Sequence, residues 1–235
     1  VAPIGGGFEA SWRADVRTAL KRGYHVLSGL HYFLNDDEEF AELADEHGGR
    51  LVDVRKPPAN LTVAEGTAGA VDATVVTTVG TDCSTGKMTT AYELRDAARE
   101  RGLDAVVVPT GQTGVVIEGW GIVIDRVVSD YAAGAVERLV ETPVGMDLIV
   151  VEGQGSLVHP AYSGVTTSIL HGSAPYALVM CHKAGRERVH GYESFTIPPP
   201  ADYADRYERM VAPVSDASVV AGALNTRGME DEAAR

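Results

Sequence analysis

The feature that most constrains this chain is a run of apolar residues at 73–79. It leads through Gly80-Thr81-Asp82-Cys83-Ser84-Thr85-Gly86-Lys87-Met88-Thr89-Thr90 straight into a helical pattern. In a strand–loop–helix of this kind, successive backbone N–H groups turn inward on an anion. The helix N-terminus adds the positive end of its dipole, and the lysine ammonium reaches the outer phosphates. A glycine at position 86 keeps side-chain bulk away from the phosphate. The pattern therefore predicts a phosphate cradle made by Gly80, Thr81, Asp82, Cys83, Ser84, Thr85, Gly86, Lys87, Met88 and Thr89.

Two details depart from the usual loop. Five residues rather than four separate Gly80 from Gly86, and Met88 stands where a hydroxyl residue normally follows the lysine. Magnesium, if used, would have to draw its hydroxyl from Thr89 or Thr90.

The rest of the chain agrees with a parallel α/β fold. Val/Ile/Leu-rich runs at residues 25–27, 73–79, 105–108, 148–151, 177–180 and 218–221 are mostly continuous rather than alternating, which predicts strands buried on both faces. Between them, residues 14–22, 38–47, 89–101, 131–141 and 202–211 carry apolar residues at helical spacing. Turn-forming residues at 56–72, including Lys56-Pro57-Pro58 and Glu65-Gly66-Thr67, predict a linker. The expected division is residues 1–70 as part of a smaller α/β domain with its linker, and residues 71–235 as the P-loop domain. The chain opens on Val1 and closes in a polar, helix-like stretch at 229–235, so it is expected to be a fragment with a truncated C-terminal domain.

Composition excludes some partners. A formal net charge of -13 provides no basic footprint for nucleic acid and disfavours an anionic membrane surface. Two cysteines, Cys83 and Cys181, cannot build a disulfide framework. With no apolar stretch of membrane-spanning length, the expectation is a cytoplasmic protein that binds a small molecule, with homo-oligomerisation left open.

Three further clusters fall after predicted strands, where α/β proteins bind ligands. The strand at 148–151 ends in Glu152-Gly153-Gln154-Gly155-Ser156, a carboxylate and small-residue loop suited to a magnesium ion or its water; helix capping or amide binding is the structural alternative. Pro109-Thr110-Gly111-Gln112-Thr113-Gly114 follows the strand at 105–108 and offers polar groups to a substrate, or forms a plain turn. His159 lies in the loop after the Glu152 strand and is the first choice for a proton carrier, ahead of His171, His182 and Lys183. Asp130 is read either as a helix cap or as a ligand to the metal or substrate amine, and Asn225 either as an amide placed to read a purine edge or as a turn residue. The expected substrate contacts are Gln112, Thr113, Asp130, Gly153 and Gln154. The expected catalytic groups are Lys87, Glu152 and His159, and Thr89 and Glu152 would take a metal.

The phosphate loop, the Thr110-Gly111-Gln112-Thr113-Gly114 turn and Glu152-Gly153-Gln154-Gly155-Ser156 with His159-Pro160 together closely resemble the DgcN-like family. Its characterised activity is D-glutamate N-acetyltransferase. The resemblance covers nearly the whole chain, and Ala2-Pro3-Ile4-Gly5-Gly6 with Ser28-Gly29-Leu30-His31 is similar to the rear of that family's N-terminal Rossmann-like domain. The family's P-loop domain is in turn similar to dethiobiotin synthetase, whose loop shares the Gly-Thr-Asp start and five-residue spacing. In that comparison Lys87 and Glu152 match phosphate and magnesium residues, and Asn225 falls near a base-contacting asparagine.

The resemblance implies transfer of an acetyl group from acetyl-CoA to D-glutamate or a similar amino acid. The loop would hold cofactor phosphates, Glu152 or His159 would remove the amine proton, and amides near Gln112 and Gly153 would face the oxyanion. Arg126, Lys183 and Arg186 are the candidate cations for the substrate carboxylates. The alternatives are a dethiobiotin-synthetase-like ligase using ATP with magnesium, and a nucleotide-binding sensor without turnover.

Overall fold

The computed structural model describes residues 7–229; Ala2 to Gly6, and all but the first residue of the helix-like stretch 229–235, lie outside them. The N-terminal part runs α1 (Ala10–Lys21), β1 (Val26–Ser28), α2 (Glu38–His47) and β2 (Leu51–Asp53). Strands β1 and β2 pair in parallel as a two-stranded sheet. Leu20, Leu34, Phe40 and Ala44 form their own small core, with Phe8, Val16 and Tyr32 packed on it.

The larger part continues with β3 (Thr74–Gly80), α3 (Lys87–Glu100), β4 (Ala105–Val108), α4 (Gln112–Glu118), α5 (Ser129–Glu141), β5 (Leu148–Val151) and α6 (Ser163–Ser173). It then forms β6 (Ala177–Lys183), a short hairpin of β7 (Arg188–Val189) and β8 (Tyr192–Thr196), α7 (Pro200–Val211) and β9 (Ser218–Asn225). The five long strands are all parallel in the order β4-β5-β3-β6-β9, so the phosphate-loop strand is central.

Burial explains why these runs are strands. Ile149, Val150 and Val151 of β5 are fully buried, with Ile149 and Val151 facing α5 and α6 and Val150 facing α3. Each such side chain contributes roughly 1.5–3 kcal/mol on leaving water. A third cluster packs Tyr203, Tyr207 and Val211 of α7 against Val79 and Leu178.

The architecture is the parallel-sheet P-loop domain preceded by a Rossmann-like unit. Several boundaries differ from those read off the sequence. Helix α3 begins at Lys87 itself, and β9 continues to Asn225, which is therefore in the strand rather than after it. Strand β2, helices α4 and α6 and the β7–β8 hairpin were not expected. Helix α6 (SGVTTSILHGS) is rich in residues that favour other backbone states, and burial of Ile169 and Leu170 against the sheet and α5 overrides that preference. No helix among the described residues is long and apolar enough to cross a membrane.

Candidate functional site

The phosphate loop leaves the carboxyl end of β3 and enters α3, with Ser84 (φ 53°) and Gly86 (φ 107°) in the left-handed region. Alternation of left- and right-handed residues turns consecutive N–H groups to one side, and at Gly86 only a glycine adopts that angle without strain. The loop encloses a cavity of about 370 Å³ lined by Cys83 through Thr89, Glu152 through Gly155, and Asn225. Asn225 borders it from the carboxyl end of β9, where it pairs with Lys183, the last residue of β6. Its Oδ1 accepts Arg227 N–H at 3.0 Å, and its Nδ2 lies 3.7 Å from where a Cβ on Gly86 would stand.

The first three loop residues do not reach this cavity, contrary to the expectation for Gly80, Thr81 and Asp82. They form its buried support. Tyr207 Oη donates to Gly80 O at 2.6 Å and accepts from Gly80 N at 3.3 Å. Tyr203 Oη donates to Thr81 O at 2.8 Å and bonds Ser156 Oγ at 3.2 Å. Thr81 Oγ1 pairs with His182 Nδ1 at 2.8 Å. The Asp82 carboxylate accepts from Cys83 N, Arg186 and His190 N at 2.7–3.0 Å, which ties the loop to the turn and hairpin after β6. Arg186 also donates to Cys83 O, so it is not a free cation for a substrate carboxylate.

Lys87 is 6% exposed, and its Nζ donates to Asp82 O at 2.8 Å. Burial pushes its ammonium pKa down, against the opposing pull of Cys83, Cys181, Asp82 and Glu152. Met88 and Thr89 line the cavity. Thr90 does not: its hydroxyl lies 3.4 Å from Cys181 Sγ.

Glu152 is held by the turn after β4. Its Oε2 accepts Thr110 N and Gly111 N, each at 3.2 Å, and its own carbonyl accepts Thr110 Oγ1 at 2.6 Å. Burial pushes the carboxyl pKa up, opposed by those two N–H groups and by Lys87. The Thr110-to-Gly114 motif is thus the seat of this carboxylate. Gln154 joins the arrangement by donating its amide to Thr110 O and Oγ1. Gly153 N is bonded to Thr78 Oγ1 at 3.0 Å and is not free for an oxyanion.

The remaining expected contacts separate from the cavity. Gln112 packs toward the N-terminal unit, with its Cγ 3.4 Å from where a Cβ on Gly29 would stand, and Thr113 is exposed on α4. Asp130 sits exposed in the first turn of α5, whose N-cap is Val128, so it neither caps the helix nor lines the cavity. Arg126 lies over the Phe33 ring at 5.1 Å, and Lys183 ends β6.

His159 is buried and is not among the residues that line the cavity. It is 1% exposed, stacked on Tyr162 and edge-on to Tyr192, and its Nδ1 accepts Ala161 N–H at 3.1 Å. That bond places the neutral ring's proton on Nε2, so Nε2 has no lone pair to take another. Burial also holds the pKa below the usual histidine range. Asp82, Cys83 and His159 have ligand-type atoms within 4.8 Å of one another. In this structure His159 Nδ1 is bonded to Ala161 N–H and the Asp82 carboxylate to Arg186 and His190 N.

Comparison with known proteins places both parts. A family model described as the DUF1611_C P-loop domain matches residues 62–235, and the DUF1611_N Rossmann-like domain matches residues 1–57; both are domains of unknown function. A D-glutamate N-acetyltransferase of Tritonibacter scottomollicae is 34% identical over 235 residues, covering 100% of this chain and 70% of that protein. A D-glutamate N-acetyltransferase of a Pseudoalteromonas species is 38% identical over 197 residues, covering 84% of this chain and 59% of that protein. The crystal structure of a DUF1611 family protein from Anabaena variabilis superposes with a TM-score of 0.95 at 39% identity, covering 100% of this chain and 69% of that one.

Proposed function

This chain belongs to the DUF1611 family, and from that premise we propose that it is an N-acetyltransferase acting on the amino group of D-glutamate or a similar amino acid, with acetyl-CoA as donor. The observation that carries the reading is the pair of relatives bearing that activity in their names, at 34% and 38% identity. The chain spans 70% and 59% of their lengths, so the activity of the whole protein is carried over as a proposal.

The cavity fits the phosphate part of such a donor. It joins the turned N–H groups of the loop, the N-terminus of α3 and one buried ammonium at a single concave site. The Ser84-to-Met88 backbone and Lys87 would hold the phosphates, and the bound thioester supplies the acetyl group. Asn225 would meet the base end. Glu152 is the proton acceptor in this reading: both its N–H bonds fall on Oε2, which leaves Oε1 for the amine proton. Burial raises the affinity of this carboxylate for a proton, which suits a base near neutral pH.

The test is incubation of the chain with acetyl-CoA and a panel of D- and L-amino acids, following free thiol release and N-acetyl products by mass spectrometry. N-acetyl-D-glutamate from the parent, lost in Lys87→Ala and Glu152→Gln, is the expected result. Acetyl-CoA binding with no N-acetylated product from any amino acid would overturn the reading.

A further inference from the structure

P-loops usually hold phosphates together with magnesium, using a hydroxyl directly after the lysine and a carboxylate on a neighbouring strand. The residues at both places in this chain are unsuited to that task. Met88 follows Lys87 and lines the cavity, and a thioether is a soft donor that magnesium does not take. Thr89 is one position on, about 100° around the helix from the place the hydroxyl should occupy. Thr90 is turned to Cys181.

Of the two carboxylates near the loop, Asp82 is committed at both oxygens and Glu152 at one, its Oε1 remaining open. Glu152 Oε2 is taken by two backbone N–H groups and packed against the Thr110-to-Gly114 turn, where a Cβ on Gly114 would come within 2.5 Å of it. Asp82 is fully buried, with its oxygens taken by Cys83 N, Arg186 and His190 N. Magnesium accepts only near-octahedral oxygen ligands and dehydrates reluctantly, so it does not displace such bonds at small gain.

We infer that this loop binds the phosphates of its ligand without a divalent cation, through Lys87, the loop amides and the N-terminus of α3. The phosphates are then a handle that survives the reaction, as in a nucleotide thioester, and not a triphosphate that is cleaved. This deepens the acetyl-transfer reading and rests on it for the identity of the ligand; the absence of a metal requirement stands on the loop alone.

The experiment is calorimetric titration of the parent chain with acetyl-CoA, with ATP and with inorganic pyrophosphate, each in EDTA and again in excess magnesium. The expected result is binding of acetyl-CoA and pyrophosphate whose Kd changes by less than about threefold, under 1 kcal/mol, between the two conditions. Met88→Ser, which restores the hydroxyl, should acquire a magnesium preference for ATP or pyrophosphate. Binding by the parent that appears only with magnesium overturns the inference, as does failure of all three probes to bind. Metal-independent binding of pyrophosphate and ATP without acetyl-CoA leaves the inference standing and removes the acetyl-CoA reading.

Discussion

A Cβ placed on Gly114 would lie 2.5 Å from Glu152 Oε2 and 2.9 Å from Pro109 Cβ, so the helix after β4 and the carboxylate after β5 share one packed volume. Gly114 is in a helix, where alanine is ordinarily favoured by about 1 kcal/mol. Here the clash decides the sign.

Gly114→Ala is expected to destabilise the protein by about 1–3 kcal/mol, the usual range for overpacking, and to displace the Glu152 carboxylate. A double-mutant cycle with Glu152→Ala checks the cause. Removing the carboxylate should recover part of the cost and leave the share due to Pro109. Additive effects would mean that the two residues do not compete for space.

Tyr207 and Gly80 provide the second prediction. The tyrosine hydroxyl serves both backbone groups of the residue where β3 becomes the phosphate loop, from a helix 127 positions along the chain. Tyr207→Phe leaves that carbonyl and N–H unpaired in a fully buried place, which costs about 1–3 kcal/mol. Urea denaturation should show the loss. Pyrophosphate titration should show weaker binding, because the first turn of the cradle loses its support; unchanged affinity alongside lower stability would confine Tyr207 to the core.

Much of this site is legible in the sequence, because its strongest signal is local. A strand, a glycine-bounded loop and a helix start are encoded by neighbouring residues, and the cavity around Gly86 and Lys87 follows from them. The partners of those residues are less legible. The Thr110-to-Gly114 motif looks like a substrate loop, yet its role is to seat a carboxylate 42 residues away. His159 has the position of a proton carrier, but its tautomer is set by Ala161 N–H and its surroundings by Tyr162 and the distant Tyr192. Tyr203 and Tyr207, at i and i+4 on one face of α7, read as ordinary core residues because nothing in the local pattern shows where their hydroxyls go.

Glu137 is the buried group behind the third prediction. Its oxygens accept Glu65 N at 2.7 Å and Thr67 N at 2.8 Å, fastening the segment between the two units to α5. Burial works against the charge, and the backbone N–H groups of residues 65–68 outweigh it, holding the carboxyl below its ordinary range. Glu137→Gln turns one acceptor into a donor facing an N–H. A loss of about 2 kcal/mol is expected, together with faster proteolysis at residues 60–68. Glu137→Asp, which keeps the charge, should lose less; equal losses would point to packing alone.

The fourth prediction concerns acid stability. Arg13 donates to both oxygens of Asp37 at 2.6 and 2.9 Å, Tyr32 Oη donates at 2.6 Å, and the carboxylate caps α2 through Phe40 N. The guanidinium, against the cost of burial and with help from Tyr32 and Phe40, holds the Asp37 pKa down to about 2. The folded value is below the unfolded one of about 3.9. The contribution is therefore fully present above about pH 4 and is lost as pH falls toward 2. Arg13 is a third exposed, at 33%, so screening keeps the contribution of the ion pair small, and loss of the cap costs about 1 kcal/mol. Unfolding of the N-terminal unit can be followed by Trp12 fluorescence in a Trp120→Phe background. Asp37→Asn should lower stability at pH 6 and flatten the decline between pH 4 and 2. A variant that keeps the parent's acid branch would show that other carboxylates carry it.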